Sequence, residues 1–180
     1  LWVVGVSAWG QECVGVTAIA TPSEICSGNS ATITLTGQTG TIQWQQSPDG
    51  VSWSDISGAT SSTHPTPNLT TTTHYRAQVT EGTDICYSPP AVVTVNPILI
   101  PSVSISSDLG IIICAGTQIT FTANAENGGP SPLYQWRLNG INVGTNSPNN
   151  TYTTSTLTNG DNVTVVLTSN ATPCLSTPYA

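Results

Sequence analysis

An all-β chain built from two copies of one sandwich module is the fold class this sequence predicts, and three observations predict it. Apolar residues alternate with polar ones in short runs, and no stretch of the 180 residues carries them at helical spacing. Turn chemistry separates the runs: Ser47-Pro48-Asp49-Gly50, Gly128-Gly129-Pro130, Asn139-Gly140 and Asn159-Gly160. The order of elements also repeats. Ile25-Cys26-Ser27-Gly28 returns as Ile113-Cys114-Ala115-Gly116, and in both copies a second cysteine follows the first by 60 residues, at Cys86 and Cys174.

The elements follow in the same sequence in each copy. After the first cysteine comes an alternating run, Ala31 to Thr36 in one copy and Gln118 to Ala123 in the other. Next is a strand centred on tryptophan, Ile42-Gln43-Trp44 against Tyr134-Gln135-Trp136. The second alternating run is His74 to Thr80 against Asn162 to Thr168. Period two turns Ile33, Leu35, Ile42, Trp44, Tyr75, Ala77 and Val79 inward in the first module. In the second module it turns Ile119, Phe121, Tyr134, Trp136, Val163, Val165 and Leu167 inward. The predicted organisation is an N-terminal strand and linker over 1–13, a first sandwich over 14–97 opened by a Val14–Thr21 strand, and a second over 98–180.

Composition narrows the function classes. Charged residues are 6% of the chain, there is no lysine, and the formal charge of −7 leaves nothing to neutralise phosphates, which excludes nucleic acid as a partner. No run approaches the roughly 20 apolar residues of a membrane span. Without a methionine, Leu1 is expected to arise by processing or excision. Five cysteines in a small Thr-rich β protein point to an oxidising, extracellular setting.

The string Gln43-Trp44-Gln45-Gln46-Ser47-Pro48-Asp49-Gly50-Val51-Ser52-Trp53, set between Cys26-Ser27-Gly28 and Tyr75-Arg76 with a late Cys86, resembles bacterial immunoglobulin-like repeats. Such repeats are common in large surface and adhesin proteins of Bacteroidetes-type bacteria. The likeness is closest over residues 23–97 and looser over 98–180. It implies two tandem extracellular Ig-like sandwiches and no single activity.

Equivalent cysteines in equivalent modules should bond alike, so Cys26 is expected to pair with Cys86 and Cys114 with Cys174. Each bond would close a sandwich end and contribute roughly 4 kcal/mol in the chain-entropy model. Cys13 is left over, either as a free thiol or as a bridge to a neighbouring subunit. Metal binding by these thiolates is disfavoured because no Cys-x-x-Cys pair exists.

The two ends of the chain suggest an assembly. After Cys86 the first module continues into Ala91-Val92-Val93-Thr94-Val95, whereas after Cys174 the second reaches Ala180 before the equivalent of Val93. A strand-like segment of matching character stands at the other end: Leu1, Trp2, Val3, Val4, Val6, Ala8 and Trp9, with Trp2, Val4, Val6 and Ala8 on one face. Burying its three large side chains contributes on the order of 5–8 kcal/mol, an upper estimate. The expected acceptor groove is Ile119, Phe121, Trp136, Val163, Val165 and Leu167 of another copy. The four residues between Trp9 and Val14 reach only about 13 Å, too short to cross a module. The expected function is therefore a structural subunit of an extracellular, pilus-like filament, a homopolymer grown by strand addition. This resembles donor-strand pilins in end architecture, not in motif. The alternative is a stalk or ligand-binding fragment of a large surface adhesin, with residues 1–9 the tail of a preceding module.

Little suggests chemistry. His64 and His74 lack a nucleophile or carboxylate partner in sequence, so neither an enzyme nor a cofactor is expected. Asp49 and Asp55 flank a turn without the dense spacing of a calcium loop, and no metal is expected. Asn68, Asn149, Asn162 and Asn170 open Asn-x-Ser/Thr triplets and are candidate glycosylation sites, although chance explains most such triplets in this composition. Surface glycans are a further candidate partner, through Trp53 as an aromatic platform, for which packing under the neighbouring loop is the competing role.

Overall fold

The computed structural model describes residues 11–180 and divides the chain into two compact units, with the boundary between Pro97 and Ile98. The segment Leu1–Trp9, assigned above as a donor strand, lies outside the described residues.

The first unit contains β1 (Thr17–Thr21), β2 (Glu24–Cys26), β3 (Thr32–Thr36), β4 (Thr41–Ser47), β5 (Ser54–Asp55), β6 (Thr63–Pro65), β7 (Thr73–Glu81), β8 (Asp84–Tyr87) and β9 (Ala91–Asn96). One sheet runs β1-β3-β6 and the other β2-β9-β7-β4-β5, with β8 also on β7. The last strand of the unit, β9, is antiparallel to β7 and parallel to β2, so it is held on both sides. This division, with the tryptophan strand β4 beside β7, is the strand order of an Ig-like sandwich. The opening strand starts at Thr17, not Val14. Gly15 turns the chain at φ 74°, and Val14 is left 97% exposed.

All seven residues assigned inward in this unit are buried, with Ile33, Trp44, Tyr75 and Ala77 fully so. Val93 of β9 closes the core and is also fully buried. The turn from β3 to β4 needs Gly40, whose φ is 104° and where a Cβ would collide with the Thr80 carbonyl.

The cysteine pairing differs from expectation. Cys13 bonds to Cys86, with Cα atoms 5.0 Å apart, and Cys114 is a free, exposed thiol. The expected Cys26–Cys86 and Cys114–Cys174 bonds are therefore absent, although neither Cys26 nor Cys174 is free. The reason is positional. Cys26 stands opposite Asn96 at the end of β9, whereas Cys86 lies opposite Val79 on β8, before β9 begins. Residues 11–13 run alongside Tyr87 instead, with Cys13 N–H donating to the Tyr87 carbonyl at 3.0 Å and Tyr87 N–H to the Gln11 carbonyl at 2.9 Å.

His64, on β6 opposite Ile33, rests with its ring centroid 6.3 Å from that of Tyr75. Burial holds its pKa below the ordinary imidazole value. The unfolded chain then binds the proton more readily than the fold does. Stability is full above the unfolded pKa of about 6.5 and declines as pH falls through it towards the folded value. Calorimetry should show a lower melting temperature at pH 5.5 than at pH 7.5, and a smaller difference in His64→Gln. An unchanged difference in that variant would remove His64 as the cause.

The second unit contains β10 (Ser102–Ser107), β11 (Ile119–Glu126), β12 (Leu133–Leu138), β13 (Ile141–Ser147), β14 (Thr151–Thr154) and β15 (Val163–Thr168). Its sheets are β10-β11-β14 and β13-β12-β15, matching β1-β3-β6 and β5-β4-β7 of the first unit. Among the described residues, nothing corresponds to β2 or β9.

Candidate functional site: an open edge in the second unit

The consequence of that difference falls on β15. One edge pairs with β12 along its whole length, from Leu138↔Val163 to Leu133↔Thr168. On the other edge only the last rungs are taken. Leu167 N–H donates to the Ala180 carbonyl at 2.8 Å, Ala180 N–H returns to Leu167 at 3.1 Å, and Ser169 N–H donates to Pro178 at 2.7 Å. Along Val163–Val166 that edge has no strand partner among the described residues. Edge groups of this kind form a template for another strand.

Beneath the edge the core is open. A cavity of about 530 Å³ is lined by Ile111, Ile113, Ile119, Phe121, Leu157 and Val163, among others. The six groove residues divide accordingly. Ile119, Trp136 and Leu167 are buried, whereas Phe121, Val163 and Val165 are only half-buried. Their counterparts in the first unit, Leu35, Tyr75 and Ala77, are 2% exposed or less. Trp136 leans on Tyr152, with ring centroids 5.8 Å apart, and its buried Nε1–H has no acceptor, whereas Trp44 Nε1–H donates to the Ser61 carbonyl at 2.8 Å. The lining mixes these apolar side chains with Thr158, Asn159 and Asp161. At the rim, hydrogen bonds from the Asn139 side chain and the Thr158 backbone hold the Asp161 carboxyl below its ordinary pKa.

The remaining sequence candidates are dispersed. Asn68, Asn149, Asn162 and Asn170 are all exposed. Asp49 accepts hydrogen bonds from Val51 N–H, Ser52 N–H and the Ser47 and Ser52 hydroxyls. These hold its pKa well below the carboxylate range and occupy the oxygens a cation would need. Asp55 accepts from Gln45. Among the described residues no cluster of three or more His, Cys, Asp or Glu could hold a metal. Trp53 and Tyr87 face the Arg76 guanidinium at 4.3 and 4.1 Å to their ring centroids, while Arg76 Nε–H donates to Gln45. This stack is a packing role for Trp53.

The groove assignment from sequence omitted the run Gly110–Ala115 that walls the cavity. Its signal was available: Ile111-Ile112-Ile113 is the longest isoleucine run in the chain.

A family described as a domain of unknown function (DUF8696) matches residues 15–97. No curated protein matches the sequence. Among solved structures, fibronectin(III)-like modules of Clostridium thermocellum CbhA are 15% identical over 82% of this chain and 80% of theirs, at a TM-score of 0.34. A 1.5-MDa bacterial ice-binding adhesin is 11% identical over 90% of this chain and 61% of its own, at 0.44. Murine CEACAM1b is 12% identical over 89% and 94%, at 0.40. These are likenesses of fold. What the chain itself displays is a pair of Ig-like sandwiches, the second open along one strand.

Proposed function

We propose that this protein is a structural, non-enzymatic subunit of an extracellular filament, in which the N-terminal strand of one copy inserts beside β15 of the next. The observation that carries the reading is the unpartnered Val163–Val166 edge beside a cavity, in a unit whose twin has the matching edge of β7 filled by β8, Ser88 and β9 in turn. Backbone groups and apolar side chains left open in this way are costly, and a strand of alternating apolar residues answers both at once. Trp2, Val4, Val6 and Ala8 supply that alternation. The Cys13–Cys86 bond suits an oxidising exterior. A contact between unlike surfaces that does not close a ring grows into a fibre.

Negative-stain microscopy of the full chain and of a variant lacking residues 1–9 tests this. The full chain is expected to form filaments, and the deletion variant to stay monomeric with an unchanged first unit. Filaments from the deletion variant, or a full chain that stays monomeric at high concentration, would overturn the proposal in favour of a stalk module from a larger surface protein.

A further inference from the structure

We propose that Ile111–Ala115 is a second edge of the acceptor site, which becomes a strand and pairs in parallel with the inserted segment of the neighbouring copy. This rests on the filament reading and adds to it the polarity and register of the incoming strand.

The first unit supplies the template. There β9 is flanked by β7, antiparallel through Thr73↔Val93, and by β2, parallel through Glu24↔Thr94 and Ile25↔Val95. The hydrogen bonds on the parallel side come from alternate residues: Thr94 N–H donates to the Ser23 carbonyl, and Ser27 N–H to the Asn96 carbonyl, both at 2.9 Å. Through the repeated Ile-Cys-x-Gly motif, Ser23, Ile25 and Ser27 correspond to Ile111, Ile113 and Ala115.

In the second unit the same run pairs with no strand among the described residues. Ile113, the counterpart of Ile25, is only half-buried, whereas Ile25 in its β2 setting is 6% exposed. The run nonetheless walls the cavity whose other lining residues include Ile119, Phe121 and Val163. In the first unit β2 lies beside β9, whereas 111–115 has no strand beside it among the described residues. A gap with a potential ladder on each side fits a whole strand better than a single side chain. The incoming segment must then run antiparallel to β15 and parallel to 111–115. Its ladder would use Ile113 N–H and Ala115 N–H, while Ile112 N–H points away.

Hydrogen exchange on the full chain, assembled against dissociated, tests this directly. Amides of 111–115 and of Val163–Val166 are both expected to slow by more than about tenfold on assembly. Slowing at Val163–Val166 alone would overturn the second edge and leave the filament reading intact. Slowing at neither would overturn both. Proline substitution gives an independent check, because proline removes the donor at one position only. Ile113→Pro should weaken assembly about fivefold or more relative to Ile112→Pro, the factor expected for one net hydrogen bond. Equal effects of the two substitutions would overturn the assigned register.

Discussion

Replacing Cys13 and Cys86 together by serine is expected to lower the stability of the first unit by about 4 kcal/mol, because the bond closes a separation of 73 residues. The bond ties residues 11–13, which hold Tyr87 through two backbone hydrogen bonds, to the β8 hairpin on β7. Its loss frees the end of the unit where the chain enters, and Cys13, now 8% exposed, is no longer held against the core. Urea unfolding under oxidising conditions measures the effect. In reductant the difference between wild-type protein and the double variant should disappear. A double variant with wild-type stability would mean that the bond restrains nothing the fold does not already fix. The same experiment bears on the proposed assembly, since a donor segment preceding Cys13 would be anchored to its own subunit through this bond.

Much of the architecture was legible because sandwich strands carry their faces in the period of the side chains. Ile33, Leu35, Trp44, Tyr75 and Val79 alternate with polar residues, and alternation is enough to place them inside. The cysteine pairing was not legible, because it depends on which strand ends meet. The equivalence of two modules in sequence carries no distance, and the one-rung contact of Glu12 with Tyr87 has no periodic signature. The short β2 was hidden for a related reason. Three residues cannot display a period, and their strand form depends on β9, which lies some 70 residues away along the chain. The open edge was half legible. The repeat placed β15 and its inward valines, whereas the run at 111–115 beside the same cavity forms no strand and so carries no period to read.

Trp44→Ala is expected to cost the first unit about 4 kcal/mol, and Trp136→Ala to cost the second less, by about 1–2 kcal/mol. The two residues are equivalent in sequence and differ in what surrounds them. Trp44 is fully buried, sits opposite Ala77, and donates its indole N–H to Ser61, so truncation leaves both a cavity and an orphaned carbonyl. Trp136 sits opposite Val165 with its own N–H unpartnered and with Phe121, Val163 and Val165 half-buried around it, so fewer contacts are lost. Urea titration followed by hydrogen exchange in peptides from each unit separates the two losses. Equal losses would mean that the second core is as closed as the first. Assembly should reverse the order of importance. A strand seated beside β15 would pack over Trp136 and not over Trp44, so Trp136→Ala should weaken filament formation while Trp44→Ala, under conditions where it stays folded, should not. The position that contributes less to the lone subunit is then the one the polymer depends on, as expected if the second core is completed by its neighbour.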